Sequence, residues 1–127
     1  MNTPPLTSNF ASDLPILQEI ADAYVIWHKN LANLPRFSRY TLGERIDQLF
    51  LDTIQHVLLA GYSAKTEKAS AVAKASTKLD ALKFFLQIMN QCKELTDPKY
   101  VEISKPLERI GKMLGGWQKQ ILGTGSR

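Results

Sequence analysis

The stretch Thr41-Leu42-Gly43-Glu44-Arg45-Ile46-Asp47-Gln48-Leu49-Phe50-Leu51-Asp52-Thr53-Ile54-Gln55-His56-Val57-Leu58-Leu59-Ala60-Gly61-Tyr62 decides the fold class. Its apolar residues recur at the spacing of an α-helix, with none of the alternation that a strand requires. Thr41 followed three places later by Glu44 reads as a capping box, which starts the helix at Leu42. Gly61 stands near its end, at Tyr62. With Glu44 at 0° and about 100° per residue, Leu42, Ile46, Leu49, Phe50, Leu51, Ile54, Val57 and Leu58 spread from about 140° to about 340°. A peripheral bundle helix needs an apolar face of roughly 100–140°. The surplus calls for cover from outside the bundle.

Upstream, Pro35 to Tyr40 reads as a loop into this helix. Before it, Leu17, Ile20, Tyr24, Trp27, His28 and Leu31 keep helical spacing, and Asn33, Leu34 and Pro35 end that helix. Ser12 or Asp13 is placed to cap it, with Pro15 in the first turn, where a missing N–H costs nothing. Residues 1–12, with Pro4 and Pro5, read as a flexible arm. Downstream, a third helix is expected from Lys65 to Cys92, and a fourth from a cap at Thr96 or Asp97 to Ile121. Gly123 and Gly125 then break a flexible tail over 122–127. The expectation is an all-α chain, an antiparallel up-down-up-down four-helix bundle over residues 13–121.

Helix 3 presents Val72, Leu79, Leu82, Leu86 and Met89 to the core, while Phe84 and Ile88, four apart, point away from it. Together with the surplus on helix 2, they predict self-association. The expected contact residues are Phe50, Ile54, Leu58, Phe84 and Ile88, with Gly111 and Gly115 of helix 4, four apart, allowing a second backbone to approach. Pro106 lies within the helix 4 pattern and is expected to kink or restart that helix near Ser104.

The chain has 127 residues, 44% of them apolar and 22% charged, and one cysteine. That suits one ordinary globular domain that folds without metal or disulfide. No run is long and apolar enough for a membrane span, and Met1 to Phe10 lack the pattern of a secretory signal. A cytoplasmic protein is expected. The net charge is +4. It divides unevenly: residues 1–64 carry −2 and residues 65–127 carry +6. A basic half points to an anionic partner, nucleic acid first. On helix 4, with Lys105 at 0°, Arg109, Lys112 and Lys119 all fall within about 40° of it, opposite the core stripe of Ile103, Leu107, Ile110, Leu114, Trp117 and Ile121. These four cations, with Lys74 and Lys78 of helix 3, are the expected nucleic-acid contacts. Tyr40 and Tyr100 are candidates for base stacking.

Signs of catalysis are thin. His28 reads as a rim histidine, and His56 with Asp52 as a surface pair. Glu44, Asp47 and Asp52 suit capping, helix-dipole and i,i+4 roles. Cys92 has no histidine near it in sequence. There is no phosphate-binding glycine loop, no HExxH and no G-x-S-x-G. No enzyme, metal or cofactor is expected.

Three blocks carry a resemblance: Leu34 to Ile46 (LPRFSRYTLGERI), Lys78 to Leu86 (KLDALKFFL) and Ile110 to Trp117 (IGKMLGGW). In this order and spacing they resemble the accessory variability determinant (Avd) proteins of diversity-generating retroelements, over about Leu14 to Ile121. The four-helix proteins of 23S ribosomal RNA intervening sequences share the architecture and a looser form of the first block. The Avd resemblance implies a homopentameric barrel that is basic, non-catalytic, and binds RNA or DNA together with the retroelement's reverse transcriptase. It would thereby support mutagenic retrohoming. Five copies of +4 would give a field of about +20. The other reading left open is a four-helix adaptor associated with ribosomal RNA, without a retroelement role.

Overall fold

The computed structural model describes residues 15–125, with side-chain exposure through Gly123. The described residues are helical throughout apart from short connections, and contain no strand. We label the long helices α1 (Pro15–Ala32), α2 (Glu44–Tyr62), α3 (Lys65–Gln91) and α4 (Asp97–Gly125). Each packs on the next in sequence, and α4 packs back on α1, closing a four-helix bundle. The arm over 1–12 and the caps assigned to Ser12 and Asp13 lie outside the described residues.

The start of α2 differs from expectation. Pro35 ends the extended stretch after α1, at φ −55° and ψ 152°, and the chain turns helical at once. A turn at Arg36–Ser38 runs into a π-helical turn at Arg39–Gly43 and then into α2, all in right-handed geometry. Thr41 therefore caps nothing: its hydroxyl donates to the Phe37 carbonyl one turn back, at 2.8 Å. The capping box is absent because the helix has already begun. Gly43 makes the wide turn possible. A Cβ there would stand 2.8 Å from the Ser38 carbonyl oxygen and 3.0 Å from Leu31 Cδ1.

The other boundaries follow the sequence more closely. α3 ends where Lys93 takes a left-handed φ of 66°. The Lys93 amide donates to the Asn90 carbonyl and the Glu94 amide to the Met89 carbonyl, the Schellman pattern. At the next start, the Tyr100 amide donates to the Thr96 carbonyl, so Thr96 holds the cap position. Asp97 instead accepts from Asn90 Nδ2 at 2.8 Å, tying the end of α3 to the start of α4.

Two expectations for the last helix are corrected. α4 runs unbroken through Pro106, with no restart near Ser104. Pro106 is buried, so packing offsets the missing hydrogen bond. α4 also continues past Ile121, as far as Gly125, the last described residue. No described glycine takes positive φ, and glycines in a terminal turn lower helix stability without forbidding it.

The core is one cluster. Trp27 of α1 stacks on Phe50 of α2 at 6.0 Å between centroids, and Tyr24 meets Phe50 edge-on at 5.6 Å. Leu79, Leu82, Leu86 and Met89 of α3 and Ile103, Leu107, Ile110 and Leu114 of α4 complete it, each essentially sealed from solvent.

Candidate functional site

The outer face of α4 is the most ordered concentration of charge. Lys105, Arg109, Lys112 and Lys119 are all exposed. Lys105, Lys112 and Lys119 recur every seven residues, about 10.5 Å apart along the axis. None of these three lysines forms an ion pair with any described residue. Arg109 sits at the edge of the row, with Nε 3.4 Å from Glu19 Oε1 of α1. The opposite edge is bounded by Glu108, 3.3 Å from Lys83 of α3. Among the described residues the row is thus a strip of unpaired ammonium groups between two weak surface pairs.

Lys74 and Lys78 do not join it. They line a shallow recess of about 520 Å³ between α2 and α3, with His56, Ser70, Ala73 and Thr77. Lys78 Nζ lies 3.6 Å from Asp52 of α2. Because α1 and α3 are the two neighbours of both α2 and α4, the α2–α3 groove lies across the bundle from the α1–α4 groove that holds Arg109. The six expected nucleic-acid contacts therefore form two surfaces.

The expected subunit contacts divide as well. Phe50 is fully buried against Tyr24 and Trp27, so it belongs to the protomer's own core. Gly111 likewise serves the protomer: a Cβ there would meet Leu79 and Lys83 of α3 at 3.6 and 3.7 Å. Ile54 and Leu58 pack partly on the core, and Ile88 is half-buried. Phe84 remains 59% exposed, and Gly115 faces open space. Leu51, Leu59 and Tyr62 extend an exposed apolar strip along α2, of which only Leu51 stood in the predicted apolar spread.

Of the surface at the start of α2, sequence reasoning named only Tyr40. Phe37 and Tyr40 are 73% and 65% exposed there. The Arg36 and Arg39 guanidinium carbons lie 5.8 and 6.0 Å from the Tyr40 ring centre. Beside them a recess of about 260 Å³ is lined by Leu31, Arg39, Tyr40, Glu44 and Asp47. Pro35 as a helix-starting proline was the available signal.

Asp47 has a larger task than a helix dipole would give it. Its Oδ1 accepts from Tyr24 Oη at 2.9 Å and Trp27 Nε1 at 3.1 Å, fastening α2 to α1. The Tyr24 hydroxyl is pushed up to about 12, by burial first, then by its hydrogen bond to Asp47 and that carboxylate's charge. Asp52 accepts from Gln48 Nε2 at 2.9 Å, an i,i+4 contact, whereas the expected pair with His56 does not form: His56 Nδ1 is buried without a partner among the described residues. His28 is exposed and touches the Tyr24 ring, and Cys92 is an exposed free thiol after α3. Among the described residues no group of histidine, cysteine and carboxylate side chains could hold a metal, and no helix is long and apolar enough to cross a membrane.

The bAvd-like family profile matches residues 15–121, the whole span from the first residue of α1 to near the end of α4. The chain belongs to the bAvd-like family. The match covers all three blocks that carried the resemblance. Avd-type proteins are accessory proteins without catalytic activity. No curated protein and no solved structure matches the chain significantly.

Proposed function

We propose that this chain is a non-catalytic accessory protein of a diversity-generating retroelement. It binds nucleic acid along the outer face of α4, associates with the element's reverse transcriptase, and works as a homo-oligomer, a five-membered barrel in keeping with its family. It acts in the cytoplasm. The single observation that carries the nucleic-acid reading is the row Lys105, Lys112 and Lys119, exposed and without ion-pair partners among the described residues. Lysines placed this way act as point charges on phosphates, giving affinity without base readout. Self-association is supported by Phe84, Leu51, Leu59 and Tyr62, large apolar side chains left exposed on α2 and α3.

Light scattering on the purified protein tests the assembly. The expected mass is a multiple of 14.3 kDa, and a strict monomer contradicts the reading. Changing Lys105, Arg109, Lys112 and Lys119 together to Glu should abolish RNA binding and leave the mass unchanged. Full affinity in that variant would remove α4 as the binding face.

A further inference from the structure

Three of the chain's five arginines, Arg36, Arg39 and Arg45, lie within ten residues at the start of α2. Elsewhere the basic residues are nearly all lysine. Arginine differs from lysine in its planar, weakly hydrated guanidinium, which stacks on rings and donates in a fixed fork. The two large aromatic side chains of this segment, Phe37 and Tyr40, face solvent. Arg36 and Arg39 approach the Tyr40 ring at the outer limit of a cation–π contact, and the ring stays 65% exposed. The π-helical turn, wedged at Gly43, fixes the cluster on helical backbone rather than on a mobile loop.

The adjoining recess has a chemistry of its own. Arg39 lines it and brings a guanidinium, whose Nε is buried without a hydrogen-bond partner among the described residues. Glu44 and Asp47 bring acceptors, since Asp47 Oδ1 is occupied by Tyr24 and Trp27 while Oδ2 is not. Two carboxylates repel a phosphate in the recess itself. They suit the edge of a base that carries an amino group, with an acceptor further along the same edge for the Arg39 guanidinium.

We propose that the Arg36–Phe37–Arg39–Tyr40 cluster binds an unpaired nucleobase of a single strand, stacked on the cluster with its edge in the Arg39–Glu44–Asp47 recess. The inference rests on the nucleic-acid reading above and adds a second contact to it. α4 holds backbone phosphates, and the start of α2 holds an exposed base. A paired base cannot occupy this site, because its edge is already taken and its faces are stacked.

The test uses the full chain and fluorescence anisotropy with labelled oligo(rC), oligo(rU) and an RNA duplex, each of about twelve nucleotides per strand, the size range of single-strand sites. The double variant Phe37→Leu/Tyr40→Leu should lose about tenfold or more in affinity for oligo(rC), the cost of a lost stacked base. Its duplex affinity should stay unchanged, and Tyr40→Trp, which keeps an aromatic face, should restore single-strand binding. The wild type should prefer oligo(rC) to oligo(rU), since only cytosine offers an amino group to the carboxylates. An unchanged oligo(rC) affinity, an equal loss on duplex and single strand, or equal affinity for the two homopolymers overturns the inference. An unchanged affinity would leave the cluster to a protein partner. If the wild type binds no probe at all, the α4 reading fails, and this site with it. Failure of the cluster alone leaves wild-type duplex binding, and its loss in the α4 charge-reversal variant, intact.

Discussion

Replacing Lys105, Lys112 and Lys119 with Gln should flatten the salt dependence of nucleic-acid binding by a calculable amount. The three side chains are exposed and unpaired among the described residues, so each can take a phosphate. Three phosphates neutralised per protomer correspond to a slope of log Kobs against log[salt] of about −2.7 on duplex DNA. Between about 50 and 200 mM salt, that is a loss of roughly 40-fold contributed by these lysines. An assembly that engages several protomers steepens the slope in proportion. Arg109 is left in place because Glu19 already occupies it. Exposed substitutions of this kind shift stability by no more than about 0.5 kcal/mol, so a thermal melt should be unchanged. The assay is a set of anisotropy titrations with one duplex across salt concentrations. A variant whose slope equals the wild-type slope would show that the α4 row does not meet phosphates.

Phe50→Ala should destabilise the protomer by about 3–5 kcal/mol in denaturant unfolding, because the ring is fully enclosed. Phe84→Glu should instead leave the unfolding midpoint near wild type and lower the mass in light scattering; an unchanged mass would remove Phe84 from any interface. Gly43→Ala should cost about 1–3 kcal/mol, since its Cβ meets a backbone carbonyl that cannot move aside; a neutral effect would mean the π turn relaxes freely. Tyr24 favours its protonated form in the folded state, so its contribution is complete below pH about 10 and is lost as pH rises from there to about 12. Asp47→Asn should bring the midpoint of Tyr24 ionisation, followed by ultraviolet titration, down from about 12 without restoring 10.0, because burial, the larger cause, remains.

Much of the fold was legible because three helices announce themselves by period and punctuation. α1, α3 and the start of α4 follow from the spacing of residues such as Ile20, Trp27, Leu79 and Leu86 and from Pro35, Cys92 and Thr96 beside them. The start of α2 was not legible. Thr41 and Glu44 form a valid local capping pattern, but the π turn is fixed by tertiary contacts, with Gly43 pressed on Leu31 and Asp47 bound by Tyr24 and Trp27. Phe50 was misassigned for a related reason. An angular sweep about one axis cannot tell a neighbour within the bundle from a neighbour in another copy, and α1 covers more of α2 than the sweep allowed.

The α4 charge row was legible because it lies on one helix, where angles alone decide which side chains align. Lys74 and Lys78 could not be placed relative to it, since that depends on which grooves the helices form. Tyr40 was named as a stacking candidate, but its grouping with Phe37, Arg36 and Arg39 was hidden by reading the backbone as a loop.

The central claim is that this bundle works with a retroelement's reverse transcriptase and RNA. Co-purification tests it most directly: the chain, tagged, is co-expressed with the reverse transcriptase and template RNA of the proposed element. The account predicts that both are retained at physiological salt, and that the RNA is lost from the variant with Lys105, Arg109, Lys112 and Lys119 changed to Glu. A reverse transcriptase and RNA that pass through unretained would contradict it.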